Sequence, residues 1–188
     1  MMKKWLAVAA LFLAGCSSAP ETNTYLLPAA PQTTMSHVNV SKPMLVVRPV
    51  EMASHLNGSG LVYQVSDTKV VEAQNNLWAE AINKQLTRRI TDDLRNKQNK
   101  FWPTQLTPTL DIAGATRLQV RIDQFNGTYN GIADVAGEWI VMNANGELES
   151  VHPFKFKVPL AEPGYNAQVL ALSKGVDELT SQIAQQIK

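Results

Sequence analysis

The 188-residue chain offers few side chains on which chemistry could rest, among them three histidines and a single cysteine. The histidines are His37, His55 and His152, and none sits in an H-x-x-x-H or H-x-x-E spacing that would present two ligands on one helix face. Ser54 and His55 are neighbours, but neighbours in sequence do not make a nucleophile–base geometry. The G-x-S-x-G turn that exposes a nucleophilic serine is absent. Gly58-Ser59-Gly60 is too short to cradle phosphate and no lysine follows it, so it reads as a turn. Asp92-Asp93 is a carboxylate pair, but adjacent helical residues point about 100° apart, which reads as a solvated helix face. The pattern therefore predicts no enzyme, no metal site and no cofactor. What remains is Cys16.

Cys16 follows Leu13-Ala14-Gly15 and closes a short segment with Lys3 and Lys4 at its head and an apolar run from Trp5 to Ala14. A charged head, an apolar core about ten residues long and small residues before the cut describe a secretory signal. The run is too short to span a bilayer, which takes roughly 20 apolar residues. Leu-Ala-Gly-Cys is similar to the bacterial lipobox, whose cysteine becomes the acylated first residue of the mature chain. That resemblance implies a signal peptide over residues 1–15, lipidation at Cys16 (palmitate among the acyl chains) and permanent anchoring. The residue after the lipidated cysteine sorts such proteins, and Ser17 in place of aspartate implies the outer membrane.

Composition narrows the partners. The chain has 17 basic and 16 acidic residues, and loss of Lys3 and Lys4 leaves it near neutral. No basic run supplies an electrostatic footprint for nucleic acid or anionic lipid, so membrane attachment falls to acyl chains. With Cys16 acylated no thiol is left for a disulfide, and stability must come from packing.

The elements that would position a site follow from periodicity. Residues 16–42, rich in Ser, Thr, Pro, Asn and Gln, read as a lipidated N-terminus and flexible tether. Within it, Tyr25-Leu26-Leu27-Pro28 could pair as a short edge strand. Residues 43–188 form the folded domain. Met44–Val50 reads as a strand, Glu51–Gly60 as a loop, and Leu61–Val65 with Lys69–Glu72 as a hairpin. Asn75-Asn76 are good caps for a helix in which Trp78, Ile82, Leu86, Ile90 and Leu94 make one stripe, with Glu80 in its first turn. Trp102-Pro103 then opens a loop. Arg117–Asp123 alternates as a half-buried strand, and 125–131 reads as a turn. Val135–Met142 and Val151–Leu160 complete a meander around Asn145-Gly146. From Asn166 onward Val169, Leu172, Val176, Leu179, Ile183 and Ile187 mark a long terminal helix. Its stripe could dock on the sheet or serve a subunit interface. The expected fold is α+β: a mostly antiparallel sheet packed against two amphipathic helices in one compact domain. Trp78 and Trp139 read as core residues, and Trp102 as either a lid or a contact. The loop at Met52, His55 and Leu56 mixes apolar side chains with glycines, which suits a partner or lipid contact.

The run Asn76-Leu77-Trp78-Ala79-Glu80-Ala81-Ile82 resembles the tryptophan-bearing helix start of ABC-type transport auxiliary lipoproteins. The stretch Leu56–Asp67 and the segment from Phe125-Asn126-Gly127 through Gly137-Glu138-Trp139 are similar to the same family, and the likeness covers nearly the whole chain. One departure is that Ala53 and His55 stand where the family usually has proline and an aromatic. The resemblance implies an outer-membrane lipoprotein, a homo-oligomer, that works in lipid transport between membranes. Its implied partners are an MCE-domain protein forming a periplasmic tunnel and a multi-pass inner-membrane protein. An anchored lipid- or glycan-acting hydrolase and a purely structural envelope lipoprotein are the competing readings.

Overall fold

The computed structural model describes residues 21–29, 42–107 and 114–187. Its spine is the 13-residue strand β7 (Thr116–Thr128), where Leu118, Val120 and Ile122 are fully buried on one face. A β-turn at Tyr129–Gly131 leads into β8 (Ile132–Met142), and the Asn145-Gly146 turn leads into β9 (Leu148–Pro159). These three strands form the antiparallel meander that the alternation predicts. The turn lies later than expected: β7 runs through Phe125-Asn126-Gly127-Thr128, because each of Phe125 to Gly127 finds a partner on β8.

The other edge of β7 is shared end to end by three parallel strands. β2 (Met44–Val47) pairs at Leu118, β3 (Glu51–Met52) at Ile122, and β4 (Gly60–Ser66) at Gly127. The sheet therefore forks. On one branch β2 carries the parallel edge strand β6 (Trp102–Gln105). On the other, β4 pairs antiparallel with β5 (Lys69–Trp78), and β5 pairs in parallel with β1 (Asn23–Tyr25). The result is a mixed nine-stranded sheet whose longest ladders are antiparallel.

Both helices pack with the sheet around one core. In α1 (Ile82–Lys97) the residues Ile82, Leu86, Ile90 and Leu94 are buried, and in α2 (Tyr165–Gln186) Leu172, Val176, Leu179 and Ile183 are buried. Burying each such side chain contributes about 1.5–3 kcal/mol. Trp139 of β8 is fully buried among them and stacks on His152 of β9, with ring centroids 4.0 Å apart. At Gly175 α2 presses so close to β8 that a Cβ would lie 2.5 Å from Val135 Cγ2.

Two segments differ from expectation for tertiary reasons. Asn75, Asn76, Leu77 and Trp78 belong to β5 and not to a helix start. The Trp78 N–H donates to Ser59 O at 2.7 Å, and β1 pairs along Asn76–Trp78, so the chain stays extended through Trp78 and bends at Ala79 and Glu80 before α1. Glu80 thus precedes the helix and meets Arg88 at 2.7 Å. Trp102-Pro103 is strand and not loop. The Trp102 N–H donates to Pro43 O at 2.9 Å, and Pro103, which has no N–H, lies on an edge.

Candidate functional site: a tyrosine-lined cavity at one end of the sheet

Cys16 and Ser17 lie outside the described residues. The three loop residues singled out with them part company. Met52 is half-buried on β3, opposite Ile122, and His55 is exposed on the short 3-10 turn Ser54–Leu56. Leu56 is 4% exposed and belongs to the core. The turn is pinned from below: the Ala53 N–H donates to Ile122 O at 2.8 Å, and the Leu56 N–H closes onto Ala53 O. Such pinning drives Leu56 inward and leaves His55 as the outward-facing member of the set.

A well-formed concavity lies toward the opposite end of β4. A cavity of about 600 Å³ is lined by Tyr63, Tyr129, Gly131, Leu160, Ala161, Glu162, Pro163, Gly164, Tyr165 and Gln168. Four separate pieces of chain build it: the middle of β4, the β7–β8 turn, the loop that follows β9 and the start of α2. Gly131, at φ 72°, makes the turn that brings β7 back as β8, and the Leu160 N–H donates to Gly131 O at 2.9 Å to close the rim. The floor is set by Gln168, 2% exposed, whose Nε2 donates to Val62 O at 2.9 Å. A Cβ on Gly127 would stand 2.7 Å from Gln168 Oε1 and 2.9 Å from Tyr63 Cδ2. With no Cβ at Gly127, the Gln168 side chain has room to reach the backbone of β4.

The rim is phenolic. Tyr129 Oη donates to Asp67 Oδ1 at 2.6 Å, tying the β7–β8 turn to the β4–β5 turn. The hydrogen bond to the Asp67 carboxylate, with its negative charge, raises the Tyr129 phenol above the ordinary tyrosine value. The walls are otherwise apolar side chains and backbone, with Glu162 as the one carboxylate of the lining. A cavity of this size, apolar with a few polar groups at its mouth, suits an apolar ligand with a polar end.

The carboxylate pair Asp92-Asp93 is split by the fold. Asp92 pairs with Arg95 at 3.1 Å near the surface, whereas Asp93 is 1% exposed and ion-paired with Arg89 at 2.8 Å. The reading of both as a solvated face fails at Asp93, because α1 turns that side onto α2, where Thr180 Oγ1 donates to Asp93 Oδ2 at 2.9 Å. Arg89 also donates to Ser173 Oγ at 3.0 Å and to Pro28 O. Trp102 is half-buried, and the Arg95 guanidinium lies 5.4 Å over its ring. Among the described residues no group of three or more His, Cys, Asp or Glu is placed to hold a metal ion. No helix among them is long and apolar enough to cross a membrane.

The sequence signals for the cavity were present only as turns. Gly131 and Pro163-Gly164 mark chain reversals, but Tyr63, Tyr129, Tyr165 and Gln168 are up to 105 positions apart in the chain. No local spacing unites them.

A sequence model of the ABC-type transport auxiliary lipoprotein component matches residues 25–184, from β1 to the last turns of α2. The chain belongs to this family. It is 39% identical over 189 residues to the intermembrane transport lipoprotein PqiC of Escherichia coli K12, covering 100% of this chain and 98% of that one. The same figures hold for PqiC of Shigella flexneri. Among solved structures, a protein described only as uncharacterized superposes with a TM-score of 0.73 at 27% identity, over 89% of this chain and 99% of its own. A Xanthomonas campestris protein shares the fold with a TM-score of 0.68 at 12% identity, covering 86% of this chain and 92% of that one. The family match starts at Tyr25, the last residue of β1.

Proposed function

We propose that the protein is the lipid-anchored outer-membrane subunit of an intermembrane transport system. In this reading it docks an MCE-domain tunnel protein, fed by a multi-pass inner-membrane partner, to the outer membrane. The observation that carries the proposal is the full-length 39% identity to proteins named as intermembrane transport lipoproteins. The role is binding and not catalysis, acylation falls on Cys16, and Ser17 directs the protein to the outer membrane. A homo-oligomer would multiply the docking surface, and the exposed His55 with half-buried Met52 is the proposed contact for the partner.

The anchoring demand fits how the N-terminal segment joins the domain. Tyr25 Oη donates to Asn76 Oδ1 at 3.0 Å, the Leu27 N–H donates to Gln85 Oε1 at 2.8 Å, and Pro28 O accepts from Arg89. A pull on Cys16 is therefore borne by buried and part-buried hydrogen bonds 9 to 12 residues along the chain from the anchor.

The test is crosslinking in intact envelopes followed by purification of the lipoprotein. Recovery of an MCE-domain protein is expected, and its absence refutes docking. Cys16→Ala should leave the domain folded but release it from the membrane fraction. Ser17→Asp should keep it lipidated but shift it to the inner membrane. Full complementation of a deletion strain by the released form at normal levels would remove the basis of the model.

A further inference from the structure

We infer that the cavity end of the sheet, formed by the β4–β5 turn and the β7–β8 turn, is the face that rests on the phospholipid leaflet holding Cys16. The inference rests on acylation at that cysteine.

Strand direction supplies the first argument. β1 runs parallel to β5, which starts at Lys69 beside the cavity, so the chain enters β1 from the cavity side. Asn23 pairs with Asn76, next to Leu77, which stands opposite Gly60 at the start of β4. From there the cavity end at Ser66 is six residues along β4, about 20 Å at 3.3 Å per residue. Seven residues separate Cys16 from Asn23, a span of at most about 25 Å when fully extended. The near end is thus within reach without a change of direction. The far end, where β7 begins at Thr116, is eight residues beyond Gln124, the β7 residue level with Gly60. That is about 26 Å in the opposite sense, so reaching it would need a reversal and more length than the segment has.

The surface at that end supplies the second argument. Val65, Val70, Val71 and Tyr129 are 38%, 46%, 36% and 48% exposed, and they gather around the two turns that the Tyr129–Asp67 bond ties together. Tyr129 joins an apolar ring to a polar tip, the combination favoured where hydrocarbon meets water. The β4–β5 turn carries Asp67 and Lys69 and the cavity lining adds Glu162, so this end has no excess of positive charge to draw anionic lipid, and the contact is with acyl chains and zwitterionic headgroups. The apolar cavity then opens toward the bilayer.

The experiment uses the lipidated protein in phosphatidylcholine vesicles carrying brominated acyl chains, with one tryptophan added at a time. Val70→Trp and Tyr129→Trp report the proposed face. Leu148→Trp, at the far β8–β9 turn where Leu148 is 65% exposed, reports the opposite end. Emission is read against the parent, and flotation is scored on the same samples. Loss of the added emission at the first two sites, with Leu148→Trp as bright as in unbrominated vesicles, is expected. Any other order of quenching in protein that floats overturns the orientation and leaves the anchor standing. Protein that does not float overturns the anchor reading and the orientation with it. All three positions are exposed, and circular dichroism identical to the parent verifies the fold.

Discussion

Asp93→Ala is the substitution with the largest expected effect away from any surface of contact. Asp93 holds Arg89 at 2.8 Å, with side chains 1% and 7% exposed, so truncation leaves a guanidinium charge buried without its counter-ion. Breaking such a pair by removing one partner costs about 3–5 kcal/mol. The lower end applies here. Arg89 keeps Ser173 Oγ and Pro28 O, and Thr180 keeps Val176 O and Asp177 O as alternative acceptors. A loss of about 3 kcal/mol corresponds to a fall of about 6–12 °C in Tm for a domain of this size. The assay is urea unfolding of the protein, with Arg89→Met, Asp93→Leu and the double variant run beside it. Replacing both charges by apolar groups of similar volume should recover most of the loss, since neither partner is then stranded. A cost below about 1 kcal/mol for Asp93→Ala, or a double variant whose loss is the sum of the singles, would refute the coupling that the geometry implies. The pair also holds the N-terminal segment. Because Arg89 donates to Pro28 O, Arg89→Met should loosen residues 23–28 and raise hydrogen exchange at the Leu27 N–H, which Gln85 otherwise protects.

Two further changes test close packing and the cavity rim. Gly175→Ala brings a Cβ to 2.5 Å from Val135 Cγ2, and overpacking of about 1–3 kcal/mol should outweigh the helix-propensity gain of about 1 kcal/mol. Val135→Ala in the same chain should relieve the clash, as urea midpoints would reveal. Tyr129 has its phenol raised by Asp67, and the hydrogen bond needs the phenol proton. Its contribution is therefore present below the ordinary tyrosine value of about 10 and lost as pH rises through the higher folded value. Asp67→Asn should move one tyrosine back toward that ordinary value in a spectrophotometric titration, and Tyr129→Phe should delete the same transition.

What the sequence revealed and what it withheld separate along one physical line. Features written within a single element were legible. The i+4 run Ile82, Leu86, Ile90, Leu94 and the stripe from Val169 to Ile183 became buried helix faces, and the alternation of Leu118, Val120 and Ile122 became the core side of β7. Asn145-Gly146 turned where a hairpin was expected. Features that depend on a distant partner were not legible. Trp78 obeys the helical period, yet β1, more than 50 residues upstream, pairs beside it and Ser59 accepts its N–H, so pairing overrides the period. Trp102-Pro103 looks like a break until Pro43 and β2 are there to pair with it.

The same line explains why the cavity escaped notice and what kind of site it is. Its tyrosines come from β4, the β7–β8 turn and the first residue of α2. They meet because β4 joins β7 in parallel at Tyr63–Gly127, and because Gly127 lets Gln168 of α2 reach the Val62 carbonyl. Parallel pairing needs a long crossover and leaves no short-range signature. A site made this way is held by backbone placement and apolar walls instead of by a cluster of reactive groups. That is the construction expected of a surface that receives a lipid or a partner, and it is consistent with a chain whose one candidate for covalent chemistry, Cys16, precedes the domain.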